Sequence, residues 1–262
     1  MLRLGVVPYV NALPLYHTLQ QRTLHASTQV EVVRAVPSQL APQLARGECD
    51  AALIPIAEHF RGVGEAVISD ACIGSSGAVR SVLLFHRVPV RDIKSVAADA
   101  SSRTSVALLH IILEDAYGIA PALREHAPDL QSMLQHNDAA LLIGDSALEA
   151  TSFAQQHDIS ILDLGAAWQE LTGLSFVYAA WVTRRGLNSD VTAELAELLT
   201  AARDKGVPQI ESIARQYATP SLPAATVDSY LRHAIEYSLT TGHRAGMEEF
   251  RHRMSVHNLL GA

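Results

Sequence analysis

Leu2-Arg3-Leu4-Gly5-Val6-Val7-Pro8-Tyr9-Val10-Asn11-Ala12-Leu13-Pro14-Leu15 holds a mostly apolar run, a proline, a short polar stretch and the start of a helical pattern. Leu2–Val7 reads as a buried-type strand. Asn11–Gln21 reads as a helix, with Leu13, Tyr16, Leu19 and Gln20 on spacings near 3.6. Val30–Ala35 is a second strand. Pro37 and Ser38 start a helix through Leu40, Leu44 and Ala45 that stops at Gly47, a C-terminal glycine. Asp50–Ile54 is a third strand. This β-α-β-α-β order predicts a parallel sheet with right-handed crossovers. In such sheets the loops after strand ends gather backbone N–H groups and short polar side chains, so ligands bind there.

Further along, Ala66–Ile73 and Val79–Phe85 read as adjacent strands with little helix between them. Val88-Pro89 breaks the pattern and marks a crossover to a second lobe. That lobe contains a strand at Ser95–Ala98, a helix at Thr104–Tyr117, a strand at Ala139–Ile143 and a helix at Asp145–Gln155. Ile159–Leu162 is a short strand and Ala166–Leu171 a short helix. Phe176–Val182 is an apolar strand that returns to the first lobe. From Ser189 onward the patterns are helical: Val191–Lys205, Pro208–Tyr217, Ala224–Glu236 and His243–Leu260. The expected architecture is α/β and two-lobed, of the venus-flytrap kind, with a C-terminal helical segment. Residues 1–86 plus 180–262 make lobe 1, residues 87–179 make lobe 2, and a cleft lies between them.

Composition bounds the function. With 262 residues, 48% of them hydrophobic and 18% charged, the chain buries a substantial core and is not a disordered segment. A net charge of −7 disfavours a nucleic-acid surface, yet helix N-termini let an acidic protein bind a small anion. Cys49 and Cys72 lack C-x-x-C spacing, which argues against a disulfide scaffold or a zinc knuckle. The first apolar run stops at Pro8, too short for a signal peptide, and no stretch is long enough to span a membrane, so a cytoplasmic location is expected. Walker and dinucleotide loops are absent, as is a Gly-x-Ser-x-Gly elbow. His252 and His257 do not share a helix face, and neither a metal nor a cofactor is expected. The segment from His243 to His257 reads as an exposed, mixed-charge helix.

Four short polar stretches sit at the ends of apolar runs: residues 9–15, 77–82, 101–105 and 143–148. Asn11 is either the N-cap of the first helix or a ligand group able to donate and accept at once; position alone favours the cap. Ser81, in the strand after Ser75-Ser76-Gly77, either faces a pocket or is tolerated in the sheet. Ser101, Ser102, Thr104 and Ser105 surround Arg103 at a helix start. Capping needs one hydroxyl, so their density points to a carboxylate or phosphate site. Asp145, after Ile143-Gly144, is either an N-cap or a group that binds a substrate hydroxyl or acts as a base.

Taken in order, Tyr9-Val10-Asn11-Ala12-Leu13-Pro14-Leu15, Val79-Arg80-Ser81-Val82, Ser102-Arg103-Thr104-Ser105, Ile143-Gly144-Asp145-Ser146-Ala147-Leu148 and Asp163-Leu164-Gly165 through Trp168, with Thr172-Gly173-Leu174 and Phe176-Val177, closely resemble the chorismate dehydratases of the futalosine route of menaquinone biosynthesis. The resemblance runs from about residue 3 to about residue 185. It implies a type II periplasmic-binding-protein-like fold used as a cytoplasmic enzyme, a hydro-lyase that converts chorismate to 3-[(1-carboxyvinyl)oxy]benzoate. It implies that Asn11 and Ser81 are catalytic and that Thr104 and Ser105 lie near a substrate carboxylate. With Ser102 and Asp145 these complete the candidate site. Val10 stands where leucine is frequent, and Ser175 where proline is common. The competing readings are a non-catalytic small-anion binder of the same fold, the dihydroxynaphthoate-forming sister enzyme, and a dehydratase acting on a related cyclohexadiene.

Overall fold

The computed structural model describes residues 1–20 and 29–261; Gln21, the expected end of the first helix, lies outside them. The first lobe opens as its sequence predicts. Strand β1 (Leu2–Val6) leads through a 3-10 turn (Val10–Ala12) into helix α1 (Leu13–Gln20), and β2 (Val30–Arg34), α2 (Pro37–Ala45) and β3 (Ala51–Pro55) follow. Strand β1 pairs in parallel with both β2 and β3. A short helix α3 (Ile56–Phe60) and strand β4 (Val67–Ser75) complete this part. Every residue of β3 is buried, which explains why its run shows no polar alternation.

The second lobe holds β5 (Val82–His86), β6 (Ser95–Asp99), α4 (Thr104–Tyr117), β7 (Ala122–His126), α5 (Leu130–Gln135), β8 (Ala139–Ile143), α6 (Gly144–Gln156) and β9 (Ser160–Asp163). Helix α7 (Leu164–Thr172) leads to strand β10 (Phe176–Thr183), and the chain ends in α8 (Ser189–Gly206), α9 (Ile210–Tyr217), α10 (Ala224–His233), β11 (Glu236–Ser238) and α11 (Thr241–Val256). Two mixed sheets result, with orders β11-β4-β10-β3-β1-β2 and β7-β6-β8-β5-β9. Among the described residues no helix is long and apolar enough to cross a membrane.

Strand pairing moves the lobe boundaries. Strand β5 lies antiparallel between β8 and β9 in the second sheet and does not pair with β4. The first crossing is therefore at residues 76–81, before the Val88-Pro89 break. Strand β10 lies wholly in the first sheet, between β3 and β4, so the return is complete by Phe176 and not at residue 180. The expected helix at Ala224–Glu236 ends at His233, because Glu236–Ser238 adds an edge strand to β4.

Two devices fix these crossings. The Asp163 carboxylate caps α7, accepting from the Gly165 and Ala166 N–H groups at 2.9 and 3.1 Å. It also accepts from Val79 N–H at 3.1 Å and Arg80 N–H at 2.7 Å, which holds Arg80 in the left-handed region at φ 63°. Gly165 is required beside it: a Cβ there would stand 2.4 Å from the Gly77 carbonyl oxygen. The return crossing is packed by aromatic rings, Trp168 and Phe176 at 5.2 Å and Phe176 and Phe250 at 4.9 Å between centroids. The segment from His243 to His257 is thus not an exposed helix. Its His243, Phe250 and Met254 side chains are buried against the first sheet and the return crossing.

Candidate functional site

A cavity lies where the strand ends of both sheets meet the crossings. Val7, Leu53, Ile73, Val79 and Ile143 make much of its wall apolar. Tyr9, Asn11, Ser81, Ser102, Thr104, Ser105 and Tyr178 supply its polar groups. Among the lining residues Arg103 alone carries a charge; none is Asp, Glu, His, Cys or Lys. The wall offers no pair of metal ligands and no ordinary general base. Its phenols do not substitute for one. Burial pushes the Tyr9 hydroxyl up to about 12 and holds that of Tyr178 well above its usual range, so both stay protonated near neutrality.

Asn11 sits in the 3-10 turn after β1, and it is not a helix cap. The turn is closed by the Ala12 N–H donating to the Tyr9 carbonyl at 3.1 Å. The Asn11 Oδ1 atom is buried without a hydrogen-bond partner. A buried amide oxygen left unpaired costs about 1–3 kcal/mol, so its retention at a cavity wall points to a ligand that completes it. Ser81 stands at the end of the first crossing and is 1% exposed. The Tyr230 hydroxyl of α10 donates to Ser81 Oγ at 2.7 Å. Burial raises the Tyr230 phenol far above its usual range, against which Ser81 and then Asn11 act as hydrogen-bonding partners. The serine Oγ therefore accepts from behind, and its own proton is free to be donated elsewhere.

The hydroxyl cluster is not spent on capping. Arg103 occupies the N-cap position of α4 and makes no side-chain cap. Ser102 Oγ is buried and unpaired. Thr104 Oγ1 accepts from the Ala57 N–H of α3 at 3.2 Å, which ties the start of α4 to the first lobe and leaves the threonine proton available. Ser105 is buried beside it. Three hydroxyls and the first N–H groups of a long helix thus converge on one end of the cavity. Ser101 has turned the other way, its hydroxyl 2.7 Å from Asp99 Oδ1 and 3.0 Å from the Tyr9 hydroxyl. The Arg103 guanidinium pairs with Glu125 at 3.6 Å on the exposed side.

Asp145 is not brought to the cavity with the others, nor does it cap α6, whose N-cap position is Ile143. It lines a neighbouring hollow with Pro8, Val10 and Tyr16, and its carboxylate accepts from Val10 N–H at 3.2 Å. Burial pushes this carboxyl up to about 6 against the Val10 bond, with Glu149 adding to the rise. What does reach the cavity beside it is Gly144, with φ 60°. A Cβ there would meet the Tyr9 ring at 3.1 Å, so a glycine is needed for the ring to lie over the start of α6.

Tyr230 is the residue that sequence reasoning missed. It lies in a helical segment read only by its periodicity, and nothing in its own neighbourhood marks it.

Comparison with known proteins accords with this architecture. A family model described as menaquinone biosynthesis matches residues 2–255. A curated relative from Thermus thermophilus, named chorismate dehydratase, is 28% identical over 97% of this chain and 95% of its own length. Among solved structures, a protein of Archaeoglobus fulgidus superposes with a TM-score of 0.80 at 15% identity, covering 98% of each chain. A Candida albicans protein described as having the generic periplasmic binding protein fold gives a TM-score of 0.67 at 13% identity, covering 98% of this chain and 90% of that one. The fold is of the periplasmic-binding-protein type.

Proposed function

The chain belongs to the menaquinone biosynthesis family, and from that premise we propose that it is a chorismate dehydratase, a hydro-lyase that removes water from chorismate to give 3-[(1-carboxyvinyl)oxy]benzoate on the futalosine route. The observation that carries this reading is the unpaired polarity of the cavity. Asn11 Oδ1 and Ser102 Oγ are buried without partners in a wall that holds no ionisable base. The relative from Thermus thermophilus bears that enzyme name, which supports the assignment.

Chorismate brings two carboxylates, a C4 hydroxyl and an enolpyruvyl ether at C3. Loss of the C3 proton and the C4 hydroxyl makes the ring aromatic, so the reaction runs strongly downhill. In our reading Ser102, Thr104 and Ser105, with the first N–H groups of α4, take one carboxylate. The enolpyruvyl carboxylate of the substrate then removes the C3 proton, since the wall supplies no side chain for that task. The C3–H electrons form the new ring double bond, the C4–O bond breaks, and the hydroxyl leaves as water with the proton that the carboxylate removed. Asn11 orients the enolpyruvyl arm. Ser81, held from behind by Tyr230, donates a hydrogen bond to the departing oxygen. Orienting a reacting group within one molecule supplies roughly 7–11 kcal/mol in favourable cases. Asp145 acts on the Val10 turn and through it on Asn11, as a positioning residue.

The test is incubation of the purified protein with chorismate, without added metal or cofactor, followed by mass spectrometry and proton NMR. The expected product is lighter by one water and shows a meta-substituted aromatic ring. Unchanged chorismate, with no thermal shift on adding it, would overturn the assignment.

A further inference from the structure

Outside the cavity lining, one set of metal-ligating side chains among the described residues comes together between α4 and α11. His110 and Glu114 are one turn apart on α4, and His257 reaches them from the end of α11, with one donor atom of each within 4.8 Å of the others. His110 Nε2 lies 3.1 Å from Glu114 Oε1. His257 Nδ1 lies 2.7 Å from Glu114 Oε2, and its Nε2 lies 2.9 Å from Asp115 Oδ1. An ionised carboxylate only accepts, and a neutral imidazole carries a single N–H. Both nitrogens of His257 face carboxylate oxygens, so one contact is an ordinary hydrogen bond and the other requires a second positive species between its atoms. That species is either another proton or a metal ion.

We propose that it is a divalent transition-metal ion, zinc in type, held by His110 Nε2, Glu114 and His257 Nδ1. Charge favours the ion. Of three neighbouring carboxylates, Asp115 and Glu249 share one guanidinium, that of Arg253, at 2.5 and 2.7 Å, while Glu114 lies against His110 and His257. The excess is two negative charges, which one divalent ion cancels and one proton does not. Geometry agrees. Donors arranged tetrahedrally at about 2.0–2.1 Å from zinc stand roughly 3.3 Å apart; here each histidine nitrogen lies 2.7–3.1 Å from a Glu114 oxygen and one donor atom of each residue lies within 4.8 Å of the others, so small side-chain movements close the set on an ion. The two imidazole rings stand at an interplanar angle of 83° with centroids 5.7 Å apart, so both rings lie against the same carboxylate. Asp115 accepts the Nε2 proton of His257 and so fixes the tautomer that leaves Nδ1 free to ligate, the usual outer partner of a metal-bound histidine. Water completes the coordination. The ion would staple α11 to α4, the helix whose other end carries Thr104 and Ser105.

The test uses the untagged full chain, stripped with chelator and titrated with zinc chloride by calorimetry. One zinc per chain is expected, with a melting temperature that rises with zinc. His110→Ala and His257→Ala should each weaken binding about 100-fold or more, and Asp115→Asn roughly 10–100-fold. Cobalt(II) substitution supplies an optical readout independent of stability: a tetrahedral visible band in the wild type, absent from a His110→Ala chain that keeps its far-UV dichroism. Absence of zinc binding by a folded wild type overturns the proposal and leaves a second proton in the ion's place. Binding of unchanged stoichiometry and affinity in a His110→Ala/His257→Ala chain overturns it as well.

Discussion

Two hollows lie on opposite sides of the turn that follows β1. Val7, Tyr9 and Asn11 face one, while Pro8, Val10 and Leu13 face the other. Their unmet hydrogen-bonding capacity tells them apart. In the first, Asn11 Oδ1 and Ser102 Oγ are buried without partners. In the second, the Asp145 carboxylate holds the Val10 N–H, the Tyr16 hydroxyl donates to the Val7 carbonyl at 3.3 Å, and Glu149 receives the Ser221 hydroxyl at 2.7 Å. The first hollow is built to be completed by something else, and the second to brace the wall between them. An acidic side chain next to a ligand cavity is therefore not evidence of a catalytic acid; the direction in which it spends its oxygens decides.

Substitutions on the two sides should separate accordingly. The largest effect belongs to Asn11→Ala and Ser81→Ala, each expected to lower chorismate turnover roughly 10²–10³-fold at little cost in melting temperature, by analogy with loss of one preorganised donor. Tyr230→Phe removes only the donor behind Ser81. It should lower kcat about tenfold and leave KM nearly unchanged, as steady-state kinetics would read. Ser102→Ala should instead raise KM roughly fivefold, the worth of about one hydrogen bond to the bound substrate. Asp145→Asn, on the bracing side, should keep turnover within about twofold, since an amide oxygen still accepts from Val10. If it abolishes turnover while substrate still binds, the second hollow supplies the base and the contrast collapses.

Asp145 also gives the contrast a pH signature. Its carboxyl rises from 3.8 to about 6 on folding, so the fold favours the protonated form. The penalty is absent below about pH 4 and grows as pH rises through about 6. Wild type should lose up to roughly 3 kcal/mol across that window relative to Asp145→Asn, measurable by urea unfolding at several pH values.

The legible parts of the fold are those whose signals are local. Strands β1 to β3 announce themselves as apolar runs, and the start of α4 is marked by its own hydroxyls. The hydroxyls of residues 101–105 were readable as a site because they outnumber what a cap consumes. The first crossing was misplaced because its shape depends on Asp163 capturing two N–H groups more than eighty residues away. Asn11 looked like a cap because sequence does not reveal that a 3-10 turn closes through backbone alone. Asp145 follows a strand end, where loops face a cleft on average; the left-handed Gly144 turns it toward the opposite hollow. Tyr230 lies 149 residues from the serine it holds, and no local pattern records such a partnership.

That separation has a consequence for how the protein is made. Ribosomes deliver the chain from its first residue onward, and domains generally begin to fold as they emerge. The second sheet and the first crossing are complete long before α10 exists, so Ser81 spends most of synthesis without the phenol that aims it. A polypeptide interrupted anywhere between Thr183 and Tyr230 would carry every polar residue of the cavity wall and yet lack the phenol that holds Ser81. In this molecule competence is conferred late, by the tail, as a final act of assembly.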